Sequence, residues 1–283
     1  MEISEINGKY ELSETERIEF SAYIANRFEN CLELTKPDSD FLKVWDSIIY
    51  YADIFGAAEA INTKICPKYP VSFNSPGSAE IKIYFSFAGK IPVIYVRDTA
   101  DFEQVVTNIA YKGVRPDNIS ATGASFIHGR TTRFMILSAK PYSNVPACEL
   151  GLDADEDWAE KSLLLRRAHE CTHFFTKQTY GVTNNILHDE IMADFIGMYE
   201  TFGFYKAEWF LRFMGIIEGS GKRLIFYTED LSPKVRDAVA ELLTEAAYGL
   251  EKWSNTDSFA ALSTAERIKI MCKKGLEGMA HPP

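Results

Sequence analysis

The sequence predicts an α+β protein, with an antiparallel-rich mixed sheet early in the chain and a mainly helical lobe after it. Three observations carry the prediction. Apolar residues alternate with the period of a half-buried strand between about residues 69 and 139. They recur at helical spacing before that stretch, over about residues 13 to 63. From about residue 157 onward the pattern is almost wholly helical.

Ser13 and Glu16 have the spacing of a capping box, and Ile18, Ala22, Ile24 and Phe28 follow at near-helical intervals. Phe41, Val44, Trp45, Ile48, Ile49 and Ala52 mark a second helix. Ile81, Ile83, Phe85 and Phe87 alternate with polar neighbours, and Ala88-Gly89-Lys90 turns the chain into a second strand, Ile91 to Val96. Phe102, Val105, Val106 and Ile109 share one side of a helix over 100–112. Strands over 120–128 and 131–138 follow, with Gly129 at the turn. A long helix from Asp157 to Tyr180 stops at Gly181. Helices over 187–202, 205–217 and 233–252 come next, the last opened by Ser232-Pro233. Ser263 and Glu266 repeat the capping box before a final helix that ends at Gly275, leaving a loose tail from Met279.

At 283 residues and 46% apolar content the chain can bury one large core or two modest ones. The pattern divides into an α/β lobe, 1–182, and a helical lobe, 183–283, which together make one catalytic unit. The net charge is −10, so the basic footprint of a nucleic-acid partner is missing. No stretch approaches the roughly 20 apolar residues of a membrane span. The first residues lack the basic and apolar regions of a signal peptide. Five scattered cysteines without a CxxC pair argue for a reduced, cytoplasmic setting. Oligomeric state is not legible.

The chemistry concentrates in His169-Glu170-Cys171-Thr172-His173, inside the long helix. Histidines at i and i+4 lie one above the other on one face, so both imidazoles can meet one zinc ion. Glu170 can lean over the open side of the metal and take a proton from its water. A third ligand is required. Glu190 and Asp194 stand at i and i+4 on the next helix, and residues 181 to 185 give the turn that folds it back. Glu190 can then reach the ion, while Asp194 can accept a hydrogen bond from the far nitrogen of a ligand histidine. Asp189 competes with Glu190, but only Glu190 pairs with Asp194 at i+4.

HExxH on one helix and Glu-x-x-x-Asp on the next resembles the gluzincin, or thermolysin-like, group of zinc metallopeptidases. The resemblance implies a zincin-like fold with one Zn2+ per chain, His169, His173 and Glu190 as ligands, Glu170 as general base and Asp194 as support. It also implies a peptide or protein substrate, added as a strand along the backbone of Ala121 to Phe126. Two departures stand out. Arg167 is charged where such helices usually carry an uncharged residue, and the donor to the transition state is unplaced among Tyr205, Tyr227, Tyr248 and His188.

Other residues read more plainly. His188 suits a cap or the surface, His128 a surface turn and Cys171 a packed thiol. Phe174, Phe175, Phe195, Phe202 and Phe204 suit the core, with some available to floor a pocket. The acidic run from Asp153 to Asp157 suits a solvated helix start.

The expected function is thus a zinc-dependent hydrolase, most simply a peptidase. Two alternatives are a non-enzymatic zincin-fold metal-binding protein and a di-iron helical protein. The second needs another Glu-x-x-His, yet His128, His188 and His281 are preceded at that spacing by Ser125, Asn185 and Gly278.

Overall fold

Ser13 does begin a helix: its hydroxyl accepts the Glu16 N–H while the Glu16 carboxylate accepts the Ser13 N–H, which satisfies two otherwise orphaned donors. The computed structural model describes residues 2–34, 39–128, 133–153, 155–182 and 186–281. Helices α1 (Ile3–Lys9) and α2 (Glu14–Ile24) come first, then α3 (Trp45–Phe55) and α4 (Ala57–Ala60). Gly56, at φ +91°, separates α3 from α4 in a conformation that favours glycine. Strands β1 (Ala79–Ser86) and β2 (Gly89–Val96) form a hairpin, followed by α5 (Thr99–Ala110), β3 (Ala124–His128) and β4 (Arg133–Ser138). The helical remainder comprises α6 (Asp155–Tyr180), α7 (Leu187–Phe202), α8 (Ala207–Met214), α9 (Arg223–Thr228), α10 (Pro233–Ser254), α11 (Asp257–Ala260) and α12 (Thr264–Ala280). The molecule is mixed α+β, and no described helix is long and apolar enough to cross a membrane.

The four strands lie in the order β1-β2-β4-β3, with β2 parallel to β4 and both flanking pairs antiparallel. β2 and β4 are central and buried on both faces, which is why Ile91 to Val96 and Phe134 to Leu137 read as nearly continuous apolar runs. Pro92 sits just before the pairing with β4 begins at Val93, where β2 has one neighbour only. One sheet face packs Ile94, Val96 and Ile136 against Trp45 of α3 and Phe102 and Val105 of α5. The other packs Val93, Met135 and Leu137 against Leu163, Cys171 and Phe174 of α6. The third core joins α7, α8, α10 and α12, and takes Ile6 of α1 and Phe20 of α2 from the start of the chain.

α6 and α7 run antiparallel along a seam that faces His173 with Glu190 and His169 with Asp194. One turn further, Gly197 meets Leu165: a Cβ added at Gly197 would lie 3.0 Å from both Cδ2 and the carbonyl oxygen of Leu165. Glu190, Asp194 and Gly197 thus share one face at i, i+4 and i+7. The glycine lets the two backbones approach, and the approach brings the polar groups together.

Several sequence expectations change. The last helix bends at Gly275 (φ +66°), but it continues to Ala280 and buries Met279 to 2% exposure, so the tail is loose no earlier than His281. The 205–217 helix is the shorter α8, because Gly215 takes a left-handed cap. α1 and α9 were not expected. The strand placed at 120–128 begins only at Ala124, after a 3₁₀ turn over Ile119–Ala121. The Gly129 turn, the first two residues of the 131–138 strand, residues 183–185 of the interhelical turn and the final two prolines lie outside the described residues.

A buried ion pair ties α5 to the segments that flank β3 and β4. The Lys140 ammonium bonds Glu103 at 2.8 Å and the carbonyls of Ser120 and Thr122 at 3.2 and 3.3 Å. The Lys140 hydrogen bond lowers the Glu103 pKa from 4.5 against the opposing effect of burial, with Arg115 assisting. A depressed carboxyl stabilises the fold fully above its unfolded value and loses that contribution as pH falls through its folded value.

Two outcomes follow. Gly197→Val lowers stability by about 1–3 kcal/mol through overpacking at Leu165, read by thermal denaturation. Glu103→Gln lowers the melting temperature at pH 7, and the gap from wild type closes as the pH is taken down from 4.5.

Candidate metal centre

On α6, His169 and His173 direct Nε2 atoms to within 3.0 Å of one another. Glu190 of α7 brings Oε2 to 3.6 Å from His169 Nε2 and Oε1 to 3.4 Å from His173 Nε2. His169 and Glu190 are buried and His173 half-buried, and the three form a group that could hold a metal ion. A tetrahedral ion with bonds of roughly 2.0–2.1 Å requires ligand atoms about 3.3 Å apart. The observed separations of 3.0, 3.4 and 3.6 Å bracket that value, so the residues fit a small divalent ion.

Asp194 settles the tautomer of His169. Its Oδ1 accepts from His169 Nδ1 at 2.7 Å, which leaves the Nε2 lone pair facing the cluster. The same oxygen accepts the Tyr142 hydroxyl at 2.5 Å. Tyr142 follows β4 and is followed by Ser143 and Asn144, both left-handed at φ +54° and +59°. Such a conformation costs roughly 1–2 kcal/mol in a non-glycine residue, less for asparagine. The bend turns Tyr142 inward and lets Ser143 Oγ accept from Arg223 at 3.3 Å.

Arg223, the first residue of α9, spans both carboxylates. Nη1 donates to Asp194 Oδ2 at 2.7 Å and Nη2 donates to Glu190 Oε2. Burial would raise the pKa of Glu190, but the His173 hydrogen bond and the charges of Arg223 and His169 hold it well below the carboxylate range. Asp194 is lowered in the same way, against burial, by Arg223 and His169. Burial would lower His173, yet Glu190, Glu170 and Asp189 lift it to about 9. Tyr227, one turn along α9, stands by Glu190 and Arg223; burial first and the Glu190 charge second push its phenol far up, against the opposing effect of Arg223.

The cluster floors a pocket of about 600 Å³. Glu170, Tyr227, Phe226, Lys222 and Arg166 line it, as does the chain from Ala121 to Ala124. β3 is one of the two edge strands of the sheet, and the one beside the pocket. The Gly123 carbonyl accepts from Ser138 N on β4, so alternation turns the N–H and C=O of Ala124 and Phe126 to the open side.

The structure therefore gathers His169, His173, Glu190, Asp194 and Glu170 at one place, and it sets other candidates apart. Tyr205 is core, with its hydroxyl unpartnered among the described residues. Tyr248 is 41% exposed on α10, away from the pocket lining. His188 is neither cap nor surface: it is 2% exposed, sits 3.1 Å from the Met271 carbonyl and is lowered to about 4 mainly by burial. His128 is exposed beside Lys177. Cys171 is sealed against the sheet, with burial pushing its thiol up to about 12. Arg167 faces the sheet, its guanidinium 4.0 Å over the Tyr84 ring, which accounts for a charge at that position. Of the five phenylalanines, none lines the pocket; Phe226 and Tyr227 do. Arg223 and Tyr142 escaped sequence reasoning. The Arg223–Tyr227 spacing of i, i+4 was the one available signal, and nothing in the sequence linked α9 or Tyr142 to α7.

If the cluster holds a divalent ion, Asp194→Asn lowers the affinity for added Zn2+ by about 10–100-fold, measured against a chromophoric chelator, and Tyr142→Phe lowers it less.

A model of a family of unknown function, DUF7005, matches residues 58–132 and 130–283, and the chain belongs to that family. No curated protein and no solved structure matches it.

Proposed function

We propose that this DUF7005 member is a zinc-dependent hydrolase, a metallopeptidase of zincin-like, gluzincin type that cleaves a peptide or other amide bond. The observation that carries the reading is the meeting of His169, His173 and Glu190 at tetrahedral spacing in a pocket that Glu170 also lines. Only three side chains of ligand type converge among the described residues, which favours a catalytic site over a closed structural one.

His169, His173 and Glu190 would hold the zinc ion, which when bound would supply Lewis acidity and a water with its pKa brought toward about 7. Glu170 accepts the proton of the attacking water and returns it to the leaving nitrogen. Asp194 and Tyr142 keep His169 in the tautomer that presents Nε2, and Arg223 holds Glu190 and Asp194 in place as carboxylates. Tyr227 is the one residue of the four candidate donors that lines the pocket, and its phenol, kept protonated, serves the developing oxyanion. The outward N–H and C=O groups of Ala124 and Phe126 suit an extended peptide laid along β3.

Metal analysis of the purified protein finds one zinc per chain, lost on His173→Ala. Glu170→Gln keeps the zinc while kcat against a peptide library falls by about 10²–10⁴-fold. Equal turnover by the two proteins removes Glu170 from the reaction.

A further inference from the structure

Arg166 is the buried cation of this pocket that pairs with no carboxylate at ion-pair distance among the described residues, whereas Lys222, the other unpaired one, is exposed. Arg166 is 4% exposed, yet its salt-bridge partners among the described residues number none. Instead, Nη1 donates to the carbonyls of Ser138 at 2.9 Å and Lys140 at 2.6 Å, and Nη2 donates to that of Pro141 at 2.9 Å. Those three bonds leave Nε–H and one Nη2–H without an acceptor among the described residues. Nε and Nη2 make up the side-on edge of a guanidinium, the edge that grips a carboxylate with two parallel hydrogen bonds.

Gly123 stands against that edge. A Cβ added there would fall 2.8 Å from Nη2 and 2.9 Å from Cζ, and closer still to Nε. Those distances put the missing methyl in front of the fork and to one side of the guanidinium plane. The position is conformationally ordinary, so backbone strain does not call for glycine. With glycine there, no side chain stands between the fork and the pocket, whose wall both residues form.

Resting on the hydrolase reading, we propose that Arg166 is the specificity residue of this site and binds a carboxylate of the peptide substrate through its Nε/Nη2 edge. Arg166 precedes Glu170 by four residues, hence one helical turn of about 5.4 Å on the same face of α6. An extended peptide advances about 3.3–3.6 Å per residue. The carboxylate therefore belongs within one or two residues of the bond to be cut. Two groups meet that condition: the free C-terminus of a short substrate, and an acidic side chain beside the scissile bond. Arg223 offers no competing site, since both its arms are taken by Asp194 and Glu190.

The test reads binding rather than turnover. Zinc-loaded Glu170→Gln protein is titrated by calorimetry with three pools of N-acetylated random tetrapeptides: free acids, C-terminal amides, and amides with glutamate fixed at each position in turn. One of the two anionic pools binds about ten- to a hundredfold more tightly than the plain amides, and which one identifies the source of the carboxylate. Its ligands also move the Arg166 Nε–H resonance downfield, and the plain amides do not. Arg166→Lys, which keeps the charge and a donor for the carbonyls, erases the preference; Gly123→Ala, whose added methyl must displace the Arg166 fork, does the same. Equal affinity for all three pools overturns this assignment and leaves the peptidase reading standing, as does a preference that survives both variants. Failure of every pool to bind overturns both.

Discussion

Two buried carboxylates on one face of α7 set the terms for the rest of the structure. Glu190 is 3% exposed and Asp194 0%, and an ionised carboxyl is not kept in such a place without partners. Arg223 is the first partner, with one guanidinium arm on each acid. The two histidines of α6 are the next, and Tyr142 adds a third donor to Asp194. Removing one member of such an arrangement strands a charge, at a cost of about 3–5 kcal/mol. Each of the four chain segments that meet here is therefore held by the same two acids: α6, α7, the start of α9 and the turn after β4.

The apparent paradox is that Glu190 is spoken for. It pairs with Arg223 and also faces His169 and His173. A carboxylate has two oxygens and about four acceptor sites, so one oxygen can stay with Arg223 while the other turns to an ion. Arg223 meets Glu190 at Oε2, and Oε1 is the oxygen nearest His173. In the proposed site the arginine would thus orient Glu190 as a ligand without displacing it, as a partner behind a ligand group does in metal centres.

Much of this could be read from the chain. HExxH and the Glu190–Asp194 pair rest on helical periodicity, a local rule, and α6 and α7 obey it. The capping boxes at Ser13 and Ser263 are equally local, and both form. Arg223 and Tyr142 are not local. They reach α7 across 29 and 52 residues through loops whose path no periodicity specifies, one of them through two left-handed residues. Met279 was misjudged for a related reason: the apolar face of a terminal helix looks idle until the partner that covers it is known. His188 fell the same way, since a histidine that stands on a carbonyl and against Phe28 has no sequence signature.

The contrast between the two arginines is where the fold and its chemistry meet. Arg223 is neutralised twice over, so its field is largely cancelled within the protein. Arg166 is held by carbonyl dipoles and the face of the Tyr142 ring, and burial pushes its pKa down to about 10, still far above neutrality. It therefore remains a cation with a field that reaches into the pocket. Had the fold needed a staple between α6 and the end of β4, an uncharged donor such as asparagine or glutamine could have met one or two of those carbonyls without the cost of burying a charge. A guanidinium is needed when three carbonyls and something beyond them must be satisfied together. Gly123 keeps a side chain off that guanidinium, and Lys140 holds the backbone just before Gly123 through Ser120 and Thr122. The support is built around the open edge rather than over it, which is the arrangement expected where the final acceptor arrives with the substrate.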